Sequence, residues 1–209
     1  MDKTKENLEQ IFNFLQKAGK LKDTYRFSES ELLRNKESTA DHTWRLSLMA
    51  FVLANELNLA INIEHALKLA LIHDIGESLT GDIDYRLYHN NEAAKLQKEQ
   101  GELRAINELR KNLPLRRGTE LYNLWTEYEA TATEEAKFIK ALDKIETMAY
   151  LIENGKKAYY DISEITATYA DKHVNNFPQL KPVLNLVKTK LKSEFEKANI
   201  SWKPEFDKI

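Results

Sequence analysis

His73 and Asp74 are neighbours inside a run that otherwise reads as core: Ala66, Leu67, Leu69, Ala70, Leu71, Ile72 and Ile75. Such a run predicts a buried helix over 63–77. An imidazole and a carboxylate placed there need a partner, because an unpaired charge in a protein interior is very costly. A divalent cation is one such partner. Neighbours on a helix point about 100° apart, so two adjacent side chains can straddle an ion above the ridge between them. Glu77 follows at i+4 from the histidine and i+3 from the aspartate. It falls one turn along on the same side, close to the ion's water without having to bind the ion. His42 opens an amphipathic stretch just after Asp41, and Asp143 comes four residues after Ile139, an acid on an inward stripe. Two neutral imidazoles and two carboxylates carry a double negative charge, which a divalent cation neutralises. Mixed nitrogen and oxygen ligation suits manganese, cobalt, iron, nickel, zinc or magnesium. Taken singly, each position has a plainer reading as a hydrogen-bonded core histidine or, for Asp143 beside Lys144 and Glu146, as helix charge patterning.

Other chemistries are excluded. The chain has no cysteine, hence no disulfide, no cysteine-based zinc site and no thiol nucleophile. Gly-x-Gly-x-x-Gly, Gly-x-Ser-x-Gly and His-Glu-x-x-His are missing. Gly76 and Gly81 have the glycine spacing of a phosphate loop, but Asp82 stands where that loop needs lysine. With 31 basic and 33 acidic residues, the formal charge of −2 gives no drive toward duplex nucleic acid. No stretch approaches the roughly 18 apolar residues of a membrane span, and the N-terminus has no secretory h-region. The expected location is the cytoplasm.

The elements that must position these residues read as helices. Six glycines and four prolines in 209 residues leave few tight turns for a β fold. Apolar residues recur at helical spacing in Leu8, Ile11, Phe12, Leu15; in Leu46, Met49, Ala50, Leu53; in Leu121, Leu124, Trp125, Tyr128; in Ala158, Ile162, Ile165, Tyr169; and in Leu180, Leu184, Val187, Leu191, Phe195. The reading is an all-α bundle of roughly eight or nine helices: 5–18, 40–57, 63–77, 89–112, 117–130, 133–154, 157–171 and 179–198. One domain over 1–175 is expected, with a C-terminal helix and tail, 176–209, packed on it. Amphipathic helices in excess of one core point to a homodimer.

The order His42, His73-Asp74, Glu77, Asp82, Asp143 resembles the HD-domain metal-dependent phosphohydrolases, a family defined by His, His-Asp, Asp on an all-helical scaffold. The segments Glu37-Ser38-Thr39-Ala40-Asp41-His42-Thr43-Trp44-Arg45 and Leu71-Ile72-His73-Asp74-Ile75-Gly76-Glu77-Ser78-Leu79-Thr80-Gly81-Asp82-Ile83 are similar to the 5′-deoxynucleotidase subgroup. So is the later block from Leu124 to Glu129 and from Glu135 to Lys144. The resemblance covers about residues 20 to 170. It implies that His42, His73, Asp74 and Asp143 hold the metal, that Glu77 is the acid/base, and that Asp82 is a second site carboxylate. Arg26 matches an arginine that contacts the nucleotide. The subgroup has tryptophan at or just after that arginine where this chain reads Tyr25-Arg26-Phe27; Phe27 could stack on a base or sugar. Arg45, i+3 from His42, could reach a phosphate or pair with Asp41, and Thr80 could cap a turn or bond substrate. The implied activity is removal of the 5′-phosphate from nucleoside monophosphates, deoxynucleotides foremost, by metal-activated water. Phosphodiesterase or nucleotide polyphosphate hydrolysis on the same scaffold, and a non-catalytic helical module, are the alternatives.

Overall fold

Several helices of this chain begin at a side chain that caps them. Ser38 and Asp41 form a reciprocal capping box: Asp41 N–H donates to Ser38 Oγ at 3.1 Å, and Ser38 N–H donates to Asp41 Oδ2 at 3.0 Å. Asn91 accepts from Ala94 N–H, and Thr133 accepts from Ala136 N–H. The computed structural model describes residues 3–28, 36–155 and 163–208. Their helices are α1 (Lys3–Ala18), α2 (Thr39–Glu56), α3 (Ile63–Ile72), α4 (Glu77–Thr80), α5 (Tyr85–Tyr88), α6 (Glu92–Arg110), α7 (Leu115–Ala130), α8 (Glu134–Asn154), α9 (Ser163–Thr168), α10 (Asp171–Asn176) and α11 (Lys181–Lys197). Short 3₁₀ turns occupy Gly19–Lys22, Pro178–Leu180 and Pro204–Asp207. Among the described residues the only β pairing is an isolated antiparallel bridge between Tyr25 and Ser38.

The chain forms two compact units. The first comprises 3–28, 36–44 and 68–130; the second comprises 45–67, 131–155 and 163–208. In the first, Leu21, Ile75, Ile106, Leu109, Leu121 and Trp125 make the core, with Phe14 and Ala18 of α1 packed against it. α6 and α7 run together so closely that a Cβ on Gly118 would stand 2.5 Å from the Arg110 carbonyl oxygen. In the second, α8 packs against α10 and α11, with the Phe138 and Phe177 rings 5.4 Å apart. Trp202 docks the tail: its ring sits edge-on to Phe195 and Phe206, and its Nε1 donates to Asp207 at 3.0 Å.

Three expectations change. The helix expected over 63–77 ends at Ile72, and the chain tightens from i−4 bonding (His73 N–H to Leu69 O) to i−3 bonding (Ile75 to Ile72, Glu77 to Asp74). Asp74 and Gly76 are the poorest helix formers of that run, so His73-Asp74 sits on a turn at the end of α3. Leu71 is 57% exposed, so α3 is half-buried rather than core on all sides. The stripe Leu8, Phe12, Leu15 faces solvent; α1 uses Phe14 and Ala18 for packing. Of the helix expected over 157–171, Ala158 and Ile162 lie outside the described residues, and the rest is divided between α9 and α10.

Candidate metal centre

His42 extends the inward stripe of α2 by one turn: it stands at i−4 from Leu46, which precedes Ala50 and Ala54 at the same interval, and it is fully buried. His73 occupies the same place relative to Leu69 at the end of α3. The two Nε2 atoms are 3.3 Å apart. Asp74 Oδ2 lies 2.9 Å from Nε2 of His73 and 3.9 Å from Nε2 of His42. Donor atoms about 2.0–2.2 Å from a shared ion stand roughly 3–4 Å from each other, so these three fit one divalent cation. His73 is oriented for ligation: its Nδ1–H donates to the Ala70 carbonyl at 2.7 Å, which leaves the Nε2 lone pair facing the other two donors. The Tyr128 ring meets His73 edge-on, centroids 5.2 Å apart, and fixes its plane.

Glu77, the first residue of α4, is 6% exposed. Burial above all, then the charges of Asp74 and Asp82, holds its carboxyl well above the ordinary range, against a hydrogen bond from Thr39 Oγ1 (2.9 Å) and the charge of Lys98. Gly81 closes α4 at φ 75°, ψ 163°, a conformation only glycine takes without strain. It turns the chain so that Asp82 Oδ2 accepts from the Phe27 N–H at 3.2 Å. Burial first, and Asp74 with it, also raises Asp82, against Arg26 and that backbone bond. Phe27 itself has φ 54°, a left-handed residue held at the site. The backbone pairing of Arg26 N–H with Glu37 O (2.9 Å) and Thr39 N–H with Thr24 O (2.8 Å) presents Arg26 toward His42. Its Nη1 donates to Nδ1 of His42 at 2.8 Å and to Glu37 Oε2 at 2.9 Å.

The first unit therefore brings together His42, His73, Asp74, Glu77, Asp82, Arg26 and Phe27. Thr80 lies on α4, its Oγ1 donating to the Gly81 carbonyl at 3.0 Å, so it closes the turn. Asp143 and Arg45 belong to the second unit. Asp143 is a buried acid of α8, 4% exposed, 2.8 Å from Lys144 Nζ. Nε of Arg45 is 2.5 Å from Glu146 Oε1, and its Nη1 is 2.6 Å from Glu153 Oε2, while Asp41 Oδ2 is used in the cap. Sequence reasoning gave no role to Glu37, Thr39 or Lys98. Lys98 and Glu102 have the i, i+4 spacing of an ordinary solvated pair, yet both are largely buried beside Asp74 and Glu77, and the Lys98 ammonium is held above its usual pKa because Glu102 and Tyr88 outweigh burial.

A mouse protein named 5′-deoxynucleotidase HDDC2 is 35% identical over 139 residues, 65% of each chain. A fission yeast (Schizosaccharomyces pombe) protein named 5′-deoxynucleotidase hdd1 is 37% identical over 158 residues, 71% of this chain and 73% of the other. The chain thus spans just under two thirds of the mouse relative's length. A solved structure from Magnetospirillum magnetotacticum, described as a predicted metal-dependent phosphohydrolase, superimposes with TM-score 0.76 at 25% identity, covering 97% of this chain and all of that one. The HD domain family matches residues 18–182, a span that holds His42, His73, Asp74, Glu77, Asp82 and Asp143. By that match the chain belongs to the HD-domain family.

Proposed function

We propose that the chain is a metal-dependent phosphohydrolase that removes the 5′-phosphate from nucleoside monophosphates, deoxynucleotides foremost. The observation that carries this reading is the triangle of His42, His73 and Asp74 donor atoms with Glu77 buried one turn away. The relatives named 5′-deoxynucleotidases support the substrate class. Asp143 is assigned as fourth ligand, supported by its resemblance to the family's last aspartate and by the burial of a carboxylate on an apolar stripe.

A cation held by these donors supplies Lewis acidity toward water and toward the phosphoryl group. Glu77, whose carboxyl burial and the charges of Asp74 and Asp82 make more basic than usual, takes a proton from the attacking water or gives one to the leaving 5′-oxygen. Thr39 fixes the carboxyl through Oε2. Asp82 shares the proton handling, and Arg26 offsets charge on the phosphoryl oxygens. Phe27 lies next to Arg26 and offers a ring to a base or sugar. Arg45 and Thr80 complete the substrate-binding set; Arg45 would exchange the exposed Glu153 for a phosphate.

The chain is further read as a cytoplasmic homodimer. Exposed Leu8, Phe12 and Leu15 on α1, beside a surface depression of about 650 Å³, support the second copy. The absence of cysteine is compatible with a reducing compartment. Among the described residues no helix is long and apolar enough to cross a membrane. The test of function is phosphate release across nucleoside mono-, di- and triphosphates, ribo and deoxy, against a panel of divalent ions. Release from dAMP but not from dATP or a cyclic dinucleotide, dependent on added metal, is the expected result; no release from any monophosphate overturns the reading.

A further inference from the structure

The two histidines differ at the ring nitrogen that faces away from the other donors. His73 gives its Nδ1–H to a carbonyl oxygen, so its Nε2 is a lone pair. His42 has a guanidinium there: Arg26 Nη1 lies 2.8 Å from Nδ1. Arginine has no acceptor, so Nδ1 of His42 accepts, and the hydrogen of a neutral ring sits on Nε2, the atom directed at His73 and Asp74. A neutral imidazole that ligates through Nε2 carries its hydrogen on Nδ1 instead, and that hydrogen needs an acceptor. The acceptor is at hand. Glu37, 7% exposed, holds the same Nη1 of Arg26 from the other side at 2.9 Å, and one of its carboxylate oxygens lies within 4.8 Å of a His42 ring nitrogen.

We propose that Glu37 is the positioning residue of the metal site: its carboxylate replaces Arg26 at Nδ1 of His42 when Nε2 ligates an ion, and the displaced guanidinium turns to the substrate phosphate. The inference rests on the metal-site reading above. It gives the buried Arg26–Glu37 pair a purpose beyond stability, because the pair holds the arginine beside the ligand it must vacate. It also links the two binding events, since an ion on His42 and Arg26 on Nδ1 exclude each other.

The test is calorimetric titration of Mn²⁺ into the full chain stripped with chelator, on variants whose helical circular dichroism matches the parent. Glu37→Ala is expected to weaken Mn²⁺ about 10–100-fold. Glu37→Gln, which keeps a carbonyl acceptor, falls between Ala and the parent. Arg26→Ala binds Mn²⁺ as tightly as the parent or more so, while its KM for nucleotide rises. Parent-like affinity in Glu37→Ala, or equal weakening in Arg26→Ala and Glu37→Ala, overturns the proposal. Phosphate release by the parent, run alongside, separates the two readings. A Glu37 effect on Mn²⁺ with no ester hydrolysed keeps this inference and sinks the nucleotidase. A parent that binds no divalent ion sinks both.

Discussion

Buried charge is arranged in opposite ways in the two units. In the second, unlike signs meet. Lys188, 4% exposed on α11, places Nζ 2.7 Å from Asp171 Oδ1 and donates to the Phe206 carbonyl at 2.5 Å, so one ammonium ties α10, α11 and the tail. Glu146 is fully buried against Arg45. In the first unit, beside the Arg26–Glu37 and Lys98–Glu102 pairs, like signs crowd: on top of burial, the charge of Asp74 raises the proton affinity of both Glu77 and Asp82, and that of Asp82 raises Glu77 further. An arrangement that works against folding is retained where it serves chemistry. In the second unit the Lys188–Asp171 and Arg45–Glu146 pairs hold helices together.

The strongest way to break this contrast is to neutralise one charge in each unit. Glu77→Gln is expected to lower kcat by roughly 10²–10⁴-fold with divalent-ion content unchanged by elemental analysis, whereas Asp74→Ala loses both turnover and metal. Full metal in Asp74→Ala would show the ligand assignment to be wrong. Glu77→Gln also carries a stability signature. A carboxyl whose folded pKa is raised contributes stability below its unfolded value and loses it as pH rises through the folded one. At pH 8 the metal-stripped glutamine variant should therefore melt no lower than the parent. Lys188→Met is the counterpart: kcat is kept, and stability falls by about 2–3 kcal/mol, or roughly 5–10 °C in Tm. A parent-like Tm there would show that the lysine is not a brace.

The smallest expected effect sharpens the comparison within the second unit. His173 is half-buried, and burial foremost, with Lys144 next, lowers its pKa to about 4. A depressed histidine contributes stability above its unfolded value, near 6.5, and loses it as the pH falls toward 4. A modest drop in Tm over that window, flattened by His173→Gln, is expected from thermal melts; an identical pH profile in the variant would remove His173 as the cause.

The fold was legible where spacing reports burial. Leu46, Ala50 and Ala54, or Leu184, Leu191 and Phe195, are periodic in the sequence and buried in the structure. His42 could be placed because it continues such a stripe. What could not be read is contact made by turns. The bridge of Tyr25 with Ser38 that brings Arg26 to Glu37 involves no periodic pattern. Nor does the shift to i−3 bonding after Ile72, which depends on backbone preferences of two residues against a helical background. Lys98 and Glu102 show the converse limit: their spacing suits a solvated helix face, and it is the packing of α4 and α5 against α6 that buries them.

Gly118 has a reach that its distance along the chain from the histidines conceals. A methyl group there meets the Arg110 carbonyl, so any other residue pries α7 away from α6 at that point. Trp125 and Tyr128 lie about two and three turns further along α7, and Tyr128 is the ring against which His73 rests. A genetic screen for inactive alleles should thus recover position 118 among the ligands, and the phenotype would be mistaken for a catalytic defect.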